Sequence, residues 1–322
     1  MNKKILITGG CGFIGSNLVD FFLKRGIKVV VIDDLSIGKK NNIKKNKNLI
    51  FIKKKIQEIS IEDIKGKIDT CIHLAAKAEI LISKDKENLY FDDNVTGLQQ
   101  ILKFCSQKKV KKFIFASSAS VYGDTKNRKV TETFELKPLH YYAYSKFLGE
   151  KMVEKYAKIN GFKYYILRFF NVYGEKSNAV VAKFLSQFLQ DKKITIYGDG
   201  NQSRDFVNVD DVCRVIKKLV YTNIKSDIFN IGSSNSLKIK DLKNLISSKS
   251  KFINLQKRFD DIEISIANIN KAKNILNWTP KISFNNGLKK MIYKDKRRLL
   301  KIKLETINLQ KKLISQFNKK YK

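Results

Sequence analysis

Within Tyr142-Ala143-Tyr144-Ser145-Lys146 a phenol and an ammonium stand four residues apart, which puts both on one face of a helix. A cation beside a phenol favours the phenolate and draws its pKa down from about 10 toward neutrality. Tyr142 then reads as a base able to take a proton from an alcohol. Tyr141 and Tyr144 have no lysine four residues further on, which singles out Tyr142. Taken alone, Tyr-x-x-x-Lys is common and mostly structural. Phe113 to Gly123 adds a second group. It reads as a strand running into the serine-rich turn Ser117-Ser118-Ala119-Ser120, where a hydroxyl can share a substrate proton with Tyr142. His73, at the end of another strand, has neither carboxylate nor nucleophile placed beside it and reads as structural.

The scaffold for these groups begins with the apolar strand Ile5-Leu6-Ile7, followed by Thr8-Gly9-Gly10-Cys11-Gly12-Phe13-Ile14-Gly15. Glycines at 9, 12 and 15 let the backbone turn tightly and approach a pyrophosphate, with the N–H groups of the next helix aimed at the phosphates. That helix, Ile14 to Lys24, repeats apolar residues at Ile14, Leu18, Phe21 and Phe22. A second strand, Val29 to Ile32, ends in Asp33, 18 residues beyond Gly15, where a carboxylate takes the two hydroxyls of an adenosine ribose. Asp33 and Asp34 repel a 2′-phosphate, which favours NAD over NADP, while the lysines at 39–45 blunt that repulsion.

Strands at 4–8, 28–32, 49–53, 69–74, 112–117 and 164–170 alternate with helices, notably at 92–107 and 142–160. The alternation predicts an α/β fold: a Rossmann-type doubly wound parallel sheet with a smaller, interleaved α/β substrate domain. Ile72-His73-Leu74-Ala75-Ala76 ends one strand in small residues, as where a flat ligand crosses the backbone. After Gly174 the units shorten, to an amphipathic helix near 178–191, an Ile194–Gly200 segment and a strand at 227–232 that can return to the main sheet. The boundaries read as 1–175 for the dinucleotide domain, with 205–235 partly returning to it, and 176–204 with 236–293 for the substrate domain. Residues 294–322 read as a basic C-terminal helix with Leu300, Leu304, Ile307 and Ile314 on one stripe, docked first on its own domain, next on a partner and last on a membrane surface.

The 322 residues suit one large domain or two intimate ones, and no stretch approaches the roughly 18 apolar residues of a membrane span. The opening apolar run is too short for a signal peptide. Cys11, Cys71, Cys105 and Cys213 are isolated, without metal-ligand spacing, and read as reduced thiols of a cytoplasmic protein with no metal site. The formal net charge of +35 invites a nucleic-acid reading. Against it, 57 of the 65 basic residues are lysine, and specific readers of phosphate and base favour arginine forks. Eight lysines and no acid within 39–55, and eleven basic residues within 294–322, predict only weak, salt-sensitive adhesion to polyanions.

Jointly the motifs resemble the extended short-chain dehydrogenase/reductase family, in its nucleotide-sugar epimerase/dehydratase branch, over residues 3–290. They are the glycine loop at 8–15, His-Leu-Ala-Ala at 73–76, Asn-Val-x-Gly at 94–97, Ser-Ser-Ala-Ser-Val-Tyr-Gly at 117–123 and Tyr-x-x-x-Lys at 142–146. Leu-Arg-Phe-Phe-Asn-Val-Tyr-Gly at 167–174, Tyr-Gly-Asp-Gly-Asn-Gln-Ser-Arg-Asp-Phe-Val at 197–207 and Leu-Asn-Trp-Thr-Pro at 276–280 complete the set. The resemblance implies Tyr142 as acid/base, Lys146 as its electrostatic partner and ligand of the nicotinamide ribose, and Ser118 bonded to the reacting hydroxyl. It implies an NAD site of Gly9, Gly12, Phe13, Ile14, Gly15, Asp33, Asp34, Ala75 and Asn94, together with Tyr142 and Lys146. Asn171 and Arg204, with Arg258 as a second arginine, would hold the substrate diphosphate. A salt bridge from Arg204 to Asp205 or Asp210 is the competing reading. A homodimer packing through 92–107 and 142–160 is also implied.

Dehydratases of this branch carry an Asp-Glu pair after the motif hydroxyl, and here Ala119 and Ser120 stand there. The resemblance therefore favours a 4-epimerase, NAD-dependent, acting on a nucleotide-diphospho-hexose such as UDP-glucose/galactose or a UDP-N-acetylhexosamine. Ser265, seven residues after Arg258, is a small pocket residue that leaves room for an acetamido group. A 4,6-dehydratase, a 4-keto-sugar reductase and a non-catalytic nucleotide- or RNA-binding regulator remain as alternatives. One departure concerns adenine: relatives place an aspartate after the third strand, where this chain has Lys55, which leaves Gln57, Glu58 or backbone to do its work.

Overall fold

The computed structural model describes residues 3–78, 87–126, 128–257, 262–295 and 297. β1 (Lys4–Thr8), α1 (Phe13–Leu23), β2 (Lys28–Ile32), β3 (Leu49–Ile52) and β4 (Thr70–His73) come first. Then follow α2 (Glu87–Phe91), a π-helical turn at Asp92–Thr96, α3 (Gly97–Gln107), β5 (Lys112–Ser118), β6 (Lys129–Val130), α4 (Tyr141–Asn160), β7 (Lys163–Phe169) and β8 (Asn171–Tyr173). The second half holds α5 (Val180–Leu189), β9 (Ile194–Tyr197), β10 (Ser203–Asn208), α6 (Val209–Tyr221), β11 (Asp227–Ile231) and β12 (Ser236–Lys238). α7 (Ile239–Ile246), β13 (Phe252–Leu255), β14 (Ile264–Ala267) and α8 (Asn270–Leu276) follow, and residues 284–295 form a further helix.

Seven parallel strands form the main sheet in the order β11-β7-β5-β4-β1-β2-β3. Sheets of this kind are buried on both faces, which is why β2 can read Lys-Val-Val-Val-Ile without alternation. One face packs on α1 and α6 through Leu18, Val19, Phe22, Val212, Ile216 and Leu219. The other packs on α3 and α4 through Leu98, Ile101, Leu102, Phe104 and Val153. Strand order reverses between β1 and β4, and the crevice beyond the carboxyl ends of strands at such a switch is where open α/β sheets bind ligands.

A five-stranded sheet, β12-β10-β14-β6 with β8 also on β10, and the pair β13-β9 lie apart from the main sheet. β6 and β8 belong to this second sheet although both fall before residue 175, and β11 lies in the main sheet after the excursion. The helix read at 92–107 is interrupted by the π-helical turn at 92–96, which turns Asn94 inward to bond the Lys77 backbone. Of the basic helix read at 294–322, all but Lys294, Asp295 and Arg297 lies outside the described residues. Among the described residues no helix is long and apolar enough to cross a membrane.

Candidate active site

The glycine loop follows β1 and wraps the start of α1. Gly9 sits at φ +67°, and a Cβ there would lie 2.7 Å from the Ala75 backbone nitrogen. At Gly15 an added Cβ would overlap the Gly9 carbonyl oxygen, so helix and loop touch backbone to backbone. A Cβ on Gly12, the N-cap of α1, would meet only the Gly9 oxygen at 3.3 Å, and that cap has neither a capping side chain nor an acid in its first turn. The cradle therefore fits a pyrophosphate, as the residue types predict. Phe13 and Ile14 form the first turn of α1. Asp33, buried at the end of β2, accepts from Cys11 N at 2.8 Å and Leu35 N at 2.9 Å. Burial raises its pKa, these two bonds lower it, and burial prevails. Asp34 accepts from the Ser36 backbone and hydroxyl.

His73 ends β4 beside this loop. Its Nδ1 shares a hydrogen bond with Thr8 Oγ1 at 2.9 Å, and that hydroxyl also receives the Ala75 N–H at 3.3 Å. The ring lies parallel to Phe115, and burial holds its pKa down at about 3. It is a neutral structural histidine.

Ser118 stands at the end of β5. Its hydroxyl faces the Tyr142 phenol, whose pKa it lowers, and accepts from Ser120 N at 3.2 Å and Ser120 Oγ at 2.9 Å. Tyr142 lies in the first turn of α4, which starts where His140 Nδ1 accepts the Ala143 N–H at 3.2 Å. The His140 ring stacks parallel to Tyr142 at 6.0 Å. Lys146, one turn on and buried, gives its Nζ to the Ala116 carbonyl at 2.8 Å and lies 5.9 Å from the Tyr142 ring centre. The structure thus brings Ser118, Tyr142 and Lys146 together at the carboxyl end of β5.

The electrostatics differ from the sequence expectation. Desolvation pushes the Tyr142 phenol up to about 12 although the residue is only half-buried, and the Ser118 hydroxyl only moderates that. Burial draws Lys146 down to about 7, with Glu150 opposing. Proximity in sequence predicted mutual stabilisation of the two charged forms, but both groups lose water, and loss of water favours both neutral forms.

Asn94 does not face outward in this structure. Its amide bonds the Lys77 backbone in both directions, at 2.8 and 3.0 Å, and donates to Ser145 Oγ at 2.9 Å, pinning the loop after β4 to α4. Lys55 is exposed, while Gln57 donates to Asp93 Oδ1 at 2.9 Å. In the second sheet Asn171 opens β8, and Arg204 on β10 pairs in register with Ser265 on β14. Arg204 Nη1 donates to the carbonyls of Ser203 at 2.9 Å and Ile262 at 2.8 Å. The acids weighed as its partners are engaged elsewhere: Asp205 accepts from Ser233, Ser234 and Ala267, and Asp210 pairs with Lys290. Arg258 lies outside the described residues.

Sequence reasoning missed the polar cluster behind Lys146. Ser117, Glu150, Arg168, Tyr122 and Asn230 are all buried and joined by hydrogen bonds. Two signals were present: an acid four residues beyond Lys146, and an arginine within the apolar strand Lys-Tyr-Tyr-Ile-Leu-Arg-Phe. Among the described residues no cluster of side chains could hold a metal ion.

The NAD dependent epimerase/dehydratase family model matches residues 5–232. The UDP-glucose 4-epimerase of Thermotoga maritima, solved with UDP-glucose, is 33% identical with a TM-score of 0.85, over 92% of this chain and 99% of that one. The UDP-N-acetylglucosamine 4-epimerase of Methanobrevibacter ruminantium, solved with UDP-N-acetylmuramic acid, is 31% identical with a TM-score of 0.84, over 91% and 97%. The UDP-glucuronic acid 4-epimerase of Bacillus cereus, solved with UDP-glucuronic acid and NAD, is 33% identical with a TM-score of 0.83, over 89% and 96%.

Proposed function

The chain belongs to the NAD dependent epimerase/dehydratase family, and we propose that it inverts C4 of a UDP-linked hexose through a transient 4-keto sugar. The observation that carries the reading is the gathering of Ser118 and Tyr142, with Lys146 behind them, at the end of β5, one strand removed from the strand that leads into the glycine cradle. Bound NAD supplies an acceptor, and then a donor, of the C4 hydride. Tyr142 takes the proton of the C4 hydroxyl as the keto sugar forms and returns it to the oxygen on the opposite face. Ser118 bonds the same oxygen and keeps it within reach of the phenol. A protonated Lys146 favours the phenolate and offsets the desolvation that otherwise keeps Tyr142 neutral.

The glycine loop and Asp33 hold the dinucleotide, while Asn171 and Arg204 hold the diphosphate about which the keto sugar turns. Arginine suits that task because its fork matches phosphate oxygens. Ser120, where a dehydratase needs a carboxylate, donates to Ser118 instead, so elimination of water has no acid at hand. Ser265, small and buried on β14 beside Arg204, leaves space for a 2-acetamido or 6-carboxylate substituent.

The exposed edges of α3 and α4, with Tyr144 and Ile159 projecting from α4, are the faces through which we expect two copies to pair. Four buried free thiols suit a reducing cytoplasm. The test is incubation with UDP-glucose, UDP-N-acetylglucosamine and UDP-glucuronate, without added nicotinamide, following C4 inversion by NMR. Inversion of at least one is expected. Consumption of added NADPH in proportion to product, or a 4-keto-6-deoxy product, replaces the epimerase reading.

A further inference from the structure

Three consecutive residues at the end of β5 meet a single stripe of α4. The Ala116 carbonyl holds Lys146 Nζ, the Ser117 hydroxyl donates to Glu150 Oε1 at 2.5 Å, and the Ser118 hydroxyl faces the Tyr142 phenol. Positions 142, 146 and 150 repeat every four residues and so share one face of the helix. Glu150 is only 1% exposed and Arg168 3%. Arg168 clamps Glu150 with Nε at 3.0 Å and Nη2 at 2.7 Å, and gives Nη1 to the Tyr122 hydroxyl and the Glu132 carbonyl, both at 2.9 Å. Tyr122 passes its own proton to Asn230 on β11 at 2.6 Å.

Such a cluster is a poor choice for stability alone. A buried ion pair loses so much hydration that apolar residues of similar volume often serve a fold as well or better. The pair lies one helical turn beyond Lys146, and Glu150 is the charge that acts on that amine, raising its pKa against burial. The other titratable neighbours are Tyr142 on α4, Arg168 on β7, Tyr122 in the turn after β5, His73 on β4 and Tyr90 on α2.

We infer that Glu150 is a positioning residue for this chemistry: gripped by Ser117 and Arg168, it fixes the Tyr142–Lys146 face of α4 against the end of β5 and presents a buried negative charge to the Lys146 ammonium. The inference rests on the roles proposed for Tyr142 and Lys146. Removing that charge weakens the hold of every nearby group on its proton. A limb in the pH profile of kcat therefore moves to lower pH, whichever of Lys146 and Tyr142 it reports.

The experiment measures kcat against pH for the full chain and for Glu150→Gln and Glu150→Asp, on a UDP-sugar that the wild type inverts. Glu150→Gln is expected to lower kcat about tenfold and move the limb acidward by about one unit. Glu150→Asp keeps the charge and is expected to return the limb to its wild-type position while kcat stays reduced. If Glu150→Gln does not fold, Glu150→Gln with Arg168→Met removes both buried charges and is expected to move the limb the same way, since Glu150 is the charge acting on Lys146. A fall in kcat with the limb in place reduces Glu150 to packing and overturns the inference, as does an unchanged profile. A wild type that inverts no UDP-sugar instead overturns the functional reading.

Discussion

The glycine cradle and the Tyr142 face of α4 lie at β1 and β5, two strands of one sheet separated by β4, yet they are built on opposite plans. At the cradle the backbone does the recognition, and the side chains matter by being absent: Gly9 and Gly15 leave room that any Cβ would fill. Around Tyr142 the side chains are everything, and they are buried, charged and mutually bonded. A cradle of main-chain amides keeps its character at any pH and is damaged by adding atoms. A cluster of buried ionisable groups is damaged by removing them, and its properties change with every neighbour.

The largest effect that sharpens this contrast is Tyr142→Phe. It removes one oxygen from the side-chain region and is expected to cut kcat by about 10³-fold or more while NAD stays bound. Turnover by NMR and cofactor absorbance of the purified protein check both halves, and retained activity breaks the contrast at its root. Next is Arg168→Met, which leaves Glu150 buried without its partner. A stability loss of about 3–5 kcal/mol is expected in denaturant titration. Gly15→Ala, on the cradle side, adds a methyl against the Gly9 carbonyl. It is expected to cost about 1–3 kcal/mol of stability and to yield protein purified without NAD, with the pH profile of any residual activity unmoved.

The smallest effect belongs to His73, at the seam between the two regions. Folding holds its pKa near 3, against about 6.5 in the unfolded chain, so below pH 6.5 the unfolded chain binds a proton that the folded one refuses. Stability therefore falls as the pH drops, by about 2 kcal/mol at pH 5 from this residue. His73→Gln is expected to lose less between pH 7.5 and pH 5 than the wild type in thermal melts. An equal loss in both assigns the acid sensitivity elsewhere.

The two regions were also unequally legible in the sequence. Glycine spacing and apolar runs placed β1, α1 and β2 within a residue of their observed ends, because every interaction that defines them is local. Tyr142, Lys146 and Ser118 could be picked out because helix periodicity and a strand end suffice to gather them. The Glu150–Arg168 cluster was not read, since its members come from α4, β7, the turn after β5 and β11, and only the sheet order joins them. The direction of the Tyr142 pKa was missed for a related reason. A lysine four residues away is visible in sequence, whereas the water that both groups lose is a property of the packed core. Asn94 bonds inward because a π-helical turn, which no residue pattern announced, rotates it toward Lys77 and Ser145.

β11 completes the main sheet on β7, yet it is synthesised only after β8, α5, β9, β10 and α6. While the ribosome adds those residues, β7 presents an open edge, and an open edge accepts any foreign strand. Contacts that close over so long a loop also form slowly. A nascent chain stalled near its two-hundredth residue is thus expected to expose that edge to other chains, and a cut between residues 175 and 227 is expected to leave the first half with the same open edge.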